Sequence, residues 1–257
     1  LFDTGADGAI LLENMRLMGK DPMAIESVVL SHAHADHTAG LQALVDLGLR
    51  PRIFLLSTFP AELKATAVAP AEVVETSRGQ EIAPGIRTTG QVGEAIPEQA
   101  LVLETEAGKV VITGCAHPGV VHMVERAREV APGPIHLVMG GFHLGGVPEA
   151  DVRTILGLFR EMGVERAGPS HCTGDPAIET RLRELSAQLL ETIGDSPAGK
   201  HRPPLGAHLA RNEPLVEGGA GLIEVCRQIR HRGVEEGVGG GEIEEKGGCT
   251  GRRMVDR

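Results

Sequence analysis

Four stretches of this chain lead into histidine where a strand-like segment gives way to small residues. Ile25 to Leu30 runs into Ser31-His32-Ala33-His34-Ala35-Asp36-His37. Lys109 to Thr113 leads through Gly114-Cys115-Ala116 to His117, and Ile135 to Met139 leads through Gly140-Gly141-Phe142 to His143. Arg166 to Ser170 leads to His171. Such a repeat constrains the fold, because ligands in open α/β sheets gather at the carboxyl ends of strands. The first stretch is the densest, with three histidines and a carboxylate in six positions. Imidazole nitrogen and carboxylate oxygen are donors that borderline metals such as zinc accept. Side chains of a strand alternate with period two, so His32 and His34 face one way. Asp36 and His37 lie beyond the strand and reach toward a second position.

The remaining pattern is layered α/β. Ala9 to Met18, Thr38 to Leu47, Val120 to Val130, Glu149 to Met162 and Ala177 to Ile193 read as helices. Asp21-Pro22 reads as an N-cap with proline at the first helical position. Arg52 to Leu56, Val73-Val74 and Glu81-Ile82 read as strands. Leu101 to Thr105 and Lys109 to Thr113 form a hairpin around Ala107-Gly108. From Gly194 to Arg257 glycine rises to about a fifth of residues, against an ordinary usage of about 7%. Periodicity weakens there, except for one short helical pattern over Leu222 to Ile229. This stretch reads as a flexible tail, and His201, His208 and His231 within it carry no partner pattern. The expected division is therefore a domain over 1–193 and a Gly-rich tail over 194–257. A shifted reading frame would give such a tail. The opening Leu1-Phe2-Asp3-Thr4-Gly5 reads as a strand end, so upstream sequence is expected.

Composition narrows the function classes. Of 257 residues, 41% are hydrophobic, enough for a core, yet there are five Phe and no Tyr or Trp. Base stacking needs aromatic side chains, and the net charge of -10 opposes a polyanionic backbone. Nucleic acid is therefore not the expected partner. No apolar run approaches the ~20 residues that span a bilayer, and no signal peptide opens the sequence. No membrane partner is expected. Cys115, Cys172, Cys226 and Cys249 show no C-x-x-C spacing, so a reducing cytosol is the default compartment. The sequence carries no signal of oligomeric state.

His32-Ala33-His34-Ala35-Asp36-His37 resembles the HxHxDH signature of the metallo-β-lactamase fold superfamily. Thr113 to Gly119, Gly140 to Leu144, Ser170 to Gly174 and the opening Leu1 to Gly5 are similar to one branch of it. That branch is named for 7,8-dihydropterin-6-methyl-4-(β-D-ribofuranosyl)aminobenzene-5'-phosphate synthase. The resemblance covers roughly residues 1 to 180. It implies a four-layer αβ/βα sandwich, here without its N-terminal strands, with metals at one edge of two sheets. It implies that His32, His34 and His117 hold one zinc, and that Asp36, His37 and His171 hold a second. One or two zinc ions are expected, with manganese or iron as alternatives. Most members of the superfamily carry a metal-bridging Asp where this chain has Cys115, although the branch itself carries the Cys. A thiolate there either binds metal or is a small packed residue. The branch more often has Gly and Tyr where this chain has Ala33 and Ala35.

The resemblance implies an enzyme acting on a small, phosphate-bearing molecule, either by hydrolysis or by dihydropterin/ribofuranosyl-aminobenzene phosphate condensation. Asp36 is expected to serve as both ligand and proton acceptor. His143 is expected to contact substrate or to orient a ligand. The competing reading is a metal-binding protein without catalysis.

Overall fold

A computed structural model of the protein describes residues 1–68 and 72–174. The expected helix over 177–193, the tail and its histidines lie outside the described residues. So does the boundary drawn at 193/194.

Two sheets face each other. The first holds three parallel strands in the order β1 (Ser27–Val29), β2 (Arg52–Leu56), β3 (Glu72–Thr76). The second holds six in chain order: β4 (Arg78–Ala83), β5 (Ile86–Gly90), β6 (Leu101–Thr105), β7 (Gly108–Thr113), β8 (Ile135–Gly141) and β9 (Ala167–Ser170). Strands β4 to β7 run antiparallel, while β7, β8 and β9 are parallel. Parallel neighbours need crossovers. Helices α5 (Val120–Val130) and α6 (Glu149–Glu161) supply them in the second sheet. In the first, α2 (Ala35–Thr38) and α3 (Leu41–Asp46) join β1 to β2, and α4 (Ala61–Val68) lies between β2 and β3. Helix α1 (Gly8–Leu17) precedes them.

The period-two alternation of the strands builds the layers. Val28, Ile53 and Leu55 turn outward to a core shared with Leu41 and Leu44 of α3 and Leu11 and Leu12 of α1. Val29 and Phe54, one residue on, turn the other way and meet Ile82, Leu101 and Ile112 between the sheets. On the far side, Val102, Val111 and Val138 pack against α5 and α6. Helix α5 buries Val120, Met123, Val124 and Ala127. Helix α6 buries Val152, Leu156 and Phe159. Both patterns are the stripe of an amphipathic helix. The result is a four-layer αβ/βα sandwich. Among the described residues no helix is long and apolar enough to cross a membrane.

Most expected elements occur with shifted ends. Asp7 caps α1 by accepting from Ala9 N and Ile10 N. Its end is a Schellman turn, in which Gly19 N donates to Arg16 O and Lys20 N to Met15 O. Asp21 caps a single turn of 3₁₀ helix, as expected. The segment expected as one helix over Thr38 to Leu47 is broken into α2 and α3. The break lies at Ala39–Gly40, where Gly40 packs so tightly that a Cβ would stand 2.1 Å from Thr4 O. Strand β5 and helix α4 were not expected. The opening five residues form no extended strand, since only Phe2 bridges to Val29.

Candidate metal centre

The carboxyl ends of β1, β7, β8 and β9 meet at one edge, and every histidine singled out from the sequence lies there. His32 follows β1, His117 follows β7, His143 follows β8 and His171 follows β9. Asp36 and His37 come from α2. Among the described residues four non-glycine residues have positive φ: Asp3 at 55°, Ala116 at 59°, His143 at 51° and His171 at 53°. All four belong to this edge. Left-handed backbone at such residues is unfavourable and persists where surrounding structure holds it.

Two groups of donor atoms assemble, one of Asp36, His37, Cys115 and His171, and one of His32, Cys115 and His117. Within each group the ligand atoms lie within 4.8 Å of one another. His37 Nε2 is 3.1 Å from His171 Nε2 and 3.2 Å from Cys115 Sγ. Asp36 Oδ2 is 3.4 Å from His37 Nε2 and 3.2 Å from His171 Nε2. His34 borders the other group, with its Nδ1 3.1 Å from His32 Nε2 and its ring 4.8 Å from that of His117. The His143 ring lies 4.4 Å from that of His117, tilted by 53°, and joins neither group.

Tertiary partners fix which nitrogen each imidazole presents. His37 Nδ1 donates to Asp3 Oδ2 at 2.6 Å, leaving the Nε2 lone pair aimed at the cluster. The Ser31 hydroxyl donates to the same Asp3 oxygen at 2.8 Å and lies 2.9 Å from His32 Nδ1. His32 thus donates through Nδ1 to Ser31 and also presents Nε2. Asp3 Oδ1 accepts from Ser31 N at 2.7 Å. One carboxylate therefore orients a donor in each group, the arrangement that outer partners of metal-binding histidines adopt.

A second carboxylate shapes the loop after β7. Glu98 is fully buried. Its Oε1 accepts from the backbone N–H of Gly114, Cys115 and Ala116, and its Oε2 from that of His117, at 2.9–3.0 Å. Burial raises the Glu98 pKa, with the loop N–H groups pulling against it. Gly114 is obligatory in this wrap, since a Cβ would stand 2.2 Å from Ser31 Oγ. Neither Asp3 nor Glu98 was singled out as a site residue. Asp3 sits in the quoted Leu1 to Gly5 motif, and that motif was its one signal.

The electrostatics keep His32 and His117 neutral. Burial, with the neighbouring histidines, pushes His32 down to about 3. Burial and His143 push His117 down to about 4. Burial also disfavours the charged form of His37, but Asp3 outweighs it and the pKa is raised. For Asp36, burial pushes upward, but the imidazoles of His37, His171 and His32 and a backbone hydrogen bond together outweigh it, so the carboxyl is lowered. The hydrogen bond with Cys172, followed by burial, raises the Cys115 thiol.

These residues fit a borderline divalent metal. His117 Nε2 is buried without any hydrogen-bond partner, although such an atom ordinarily has one. The 3.1–3.4 Å separations around His37 match the edge of a tetrahedron about 3.3 Å long, given Zn–N bonds of about 2.0–2.1 Å.

A family model described as a beta-lactamase superfamily domain matches residues 1–113. The 7,8-dihydropterin-6-methyl-4-(β-D-ribofuranosyl)-aminobenzene-5'-phosphate synthase of Methanocaldococcus jannaschii is 27% identical over 231 residues, covering 72% of this chain and 79% of its own. An uncharacterised protein of the same organism is 27% identical over 232 residues, covering 76% and 86%. A solved metal-dependent hydrolase of the beta-lactamase superfamily superposes with a TM-score of 0.59 at 28% identity, covering 72% of this chain and 82% of that one. Residues 1–113 carry a beta-lactamase superfamily domain, and the chain is similar to the metallo-β-lactamase fold superfamily and to its dihydropterin synthase branch.

Proposed function

We propose that the protein is a metal-dependent enzyme that hydrolyses a small, phosphate-bearing molecule at this edge. The observation that carries the reading is the convergence of the two donor groups beside an open cleft. Thr4, Asp7, Asn14, Gly141 and Ser170 line that cleft together with Asp36 and His171.

His32, His34 and His117 would hold one ion, and Asp36, His37 and His171 the other. Zinc suits this donor set, with manganese or iron as alternatives. A bound divalent ion lowers the pKa of water and polarises a phosphoryl or acyl oxygen. The chain supplies orientation and proton handling. Asp3 and Ser31 fix the tautomers of His37 and His32. Asp36, half-exposed beside His171, accepts the proton lost by the attacking nucleophile. His143, exposed and packed against the His117 ring, contacts the substrate. Among the described residues no Arg or Lys lines the cleft, so a phosphate's charge falls to the ions and to backbone N–H groups.

A second reading is condensation of a dihydropterin diphosphate with a ribofuranosyl-aminobenzene phosphate. It is favoured by the likeness to the synthase over 79% of that protein's length. Zinc-loaded protein incubated with those two substrates, and separately with a phosphodiester panel, tests both. Ester turnover that His34→Ala abolishes, with no condensation product, is the expected result. Condensation without ester turnover selects the second reading. Bound zinc with neither activity overturns both and favours a metal-binding protein without catalysis.

A further inference from the structure

Cys115 belongs to both donor groups, and it alone is common to them. Its sulfur is 3.2 Å from His37 Nε2 and within 4.8 Å of the donor atoms of Asp36 and His171 on one side and of His32 and His117 on the other. The placement is built rather than incidental. Glu98 holds the Cys115 N–H at 2.9 Å, Ala116 turns the chain at a positive φ, and the side chain is buried at 3% exposure. Gly141 keeps the facing strand close, since a Cβ there would stand 3.0 Å from Cys115 Cα.

We infer that Cys115 is a thiolate ligand shared by two metal ions, standing where a carboxylate would otherwise join them. This rests on the metal-dependent reading above and adds a donor and its chemistry to it. On loading, the S–H bond breaks, metal–sulfur bonds form, and the proton leaves to solvent. Metal-ligating thiols are deprotonated in this way. A soft sulfur donor shifts the centre's preference toward zinc, cobalt or iron and away from magnesium or manganese.

Cys172 is the necessary control. Its sulfur lies 3.5 Å from Cys115 O, yet it joins neither donor group.

The test is cobalt substitution of the full chain, reading bound ions per chain and the near-ultraviolet thiolate-to-cobalt charge-transfer band. The wild type is expected to bind two ions and show the band. Cys115→Ser should lose the band and one of the two ions. Cys115→Asp should lose the band but keep both, because a carboxylate can bridge. Cys172→Ser should keep band and stoichiometry. Thermal melts of the cobalt-free variants identify any that fail to fold, and Cys115→Asp against Cys172→Ser then carries the comparison. A wild type with two cobalt ions and no band overturns the Cys115 assignment alone. So does a band that persists in Cys115→Asp or vanishes in Cys172→Ser. A wild type that binds no cobalt overturns the metal-dependent reading as well.

Discussion

Asp3 Oδ2 lies 2.6 Å from His37 Nδ1 across 34 residues of sequence, and the same oxygen accepts from the Ser31 hydroxyl. Through this one atom the turn after Phe2 sets the orientation of His37 directly and of His32 at one remove. Asp3→Asn puts a donor or a weaker acceptor opposite two N–H and O–H groups. Metal affinity should fall about 10–100-fold, the usual loss when an outer partner of a ligating histidine is removed. Chelator competition measures it, and an unchanged affinity contradicts the role given to Asp3.

The loop carrying Cys115 and His117 depends on Glu98. Glu98→Gln replaces one acceptor oxygen with an NH₂ group that faces a backbone N–H. The loop N–H bonds are buried, so an orphaned donor there should cost about 1–3 kcal/mol. Chemical denaturation of the metal-free protein reads the loss. Stability equal to wild type would show that Glu98 does not organise the loop.

Stability of the metal-free protein should depend on pH in a stated direction. His32 and His117 are pushed down from 6.5 to about 3 and about 4 by burial first. The unfolded chain therefore binds more protons than the folded one between about pH 6.5 and those values, and stability falls as pH falls through that window. His37 runs the opposite way, because its pKa is raised. Its contribution is present below 6.5 and is lost as pH rises through its folded value. Two lowered histidines outweigh one raised histidine and the raised Glu98 carboxyl, which predicts a net loss on acidification. Melting temperatures between pH 7 and pH 4 check it, and His32→Gln should flatten the slope.

Two glycines should respond oppositely to alanine. At Gly141 a Cβ would stand 2.4 Å from Gly114 O and 2.8 Å from Cys172 Sγ. Backbone must shift, at about 1–3 kcal/mol, and metal binding should weaken with it. At Gly157, inside α6, a Cβ meets nothing within 4 Å. Gly157→Ala should gain roughly 0.5–1 kcal/mol from helix propensity. Denaturant midpoints of the two variants distinguish the cases.

What the sequence disclosed and what it hid follow from the range of the interactions. His32, His34, Asp36 and His37 are a local cluster, and His117, His143 and His171 each stand just beyond a strand, so composition and period reveal them. Asp3 and Glu98 act at separations of 34 and of 16 to 19 residues, and a single carboxylate has no period to read. The close approach of Gly40 to Thr4 at the break between α2 and α3 is invisible for the same reason. Strand β5, Ile-Arg-Thr-Thr-Gly, buries its last three residues with too little apolar alternation to stand out. Cys115 was legible as a departure from an expected Asp. Its place between two donor groups needed the fold.

The most direct test of a metal-dependent enzyme is chelation and readdition, followed by turnover of the phosphodiester panel. Chelator-treated protein should be inactive while still folded, and zinc should restore turnover in step with ions bound per chain. Full turnover after chelation, with no metal retained, would contradict the account.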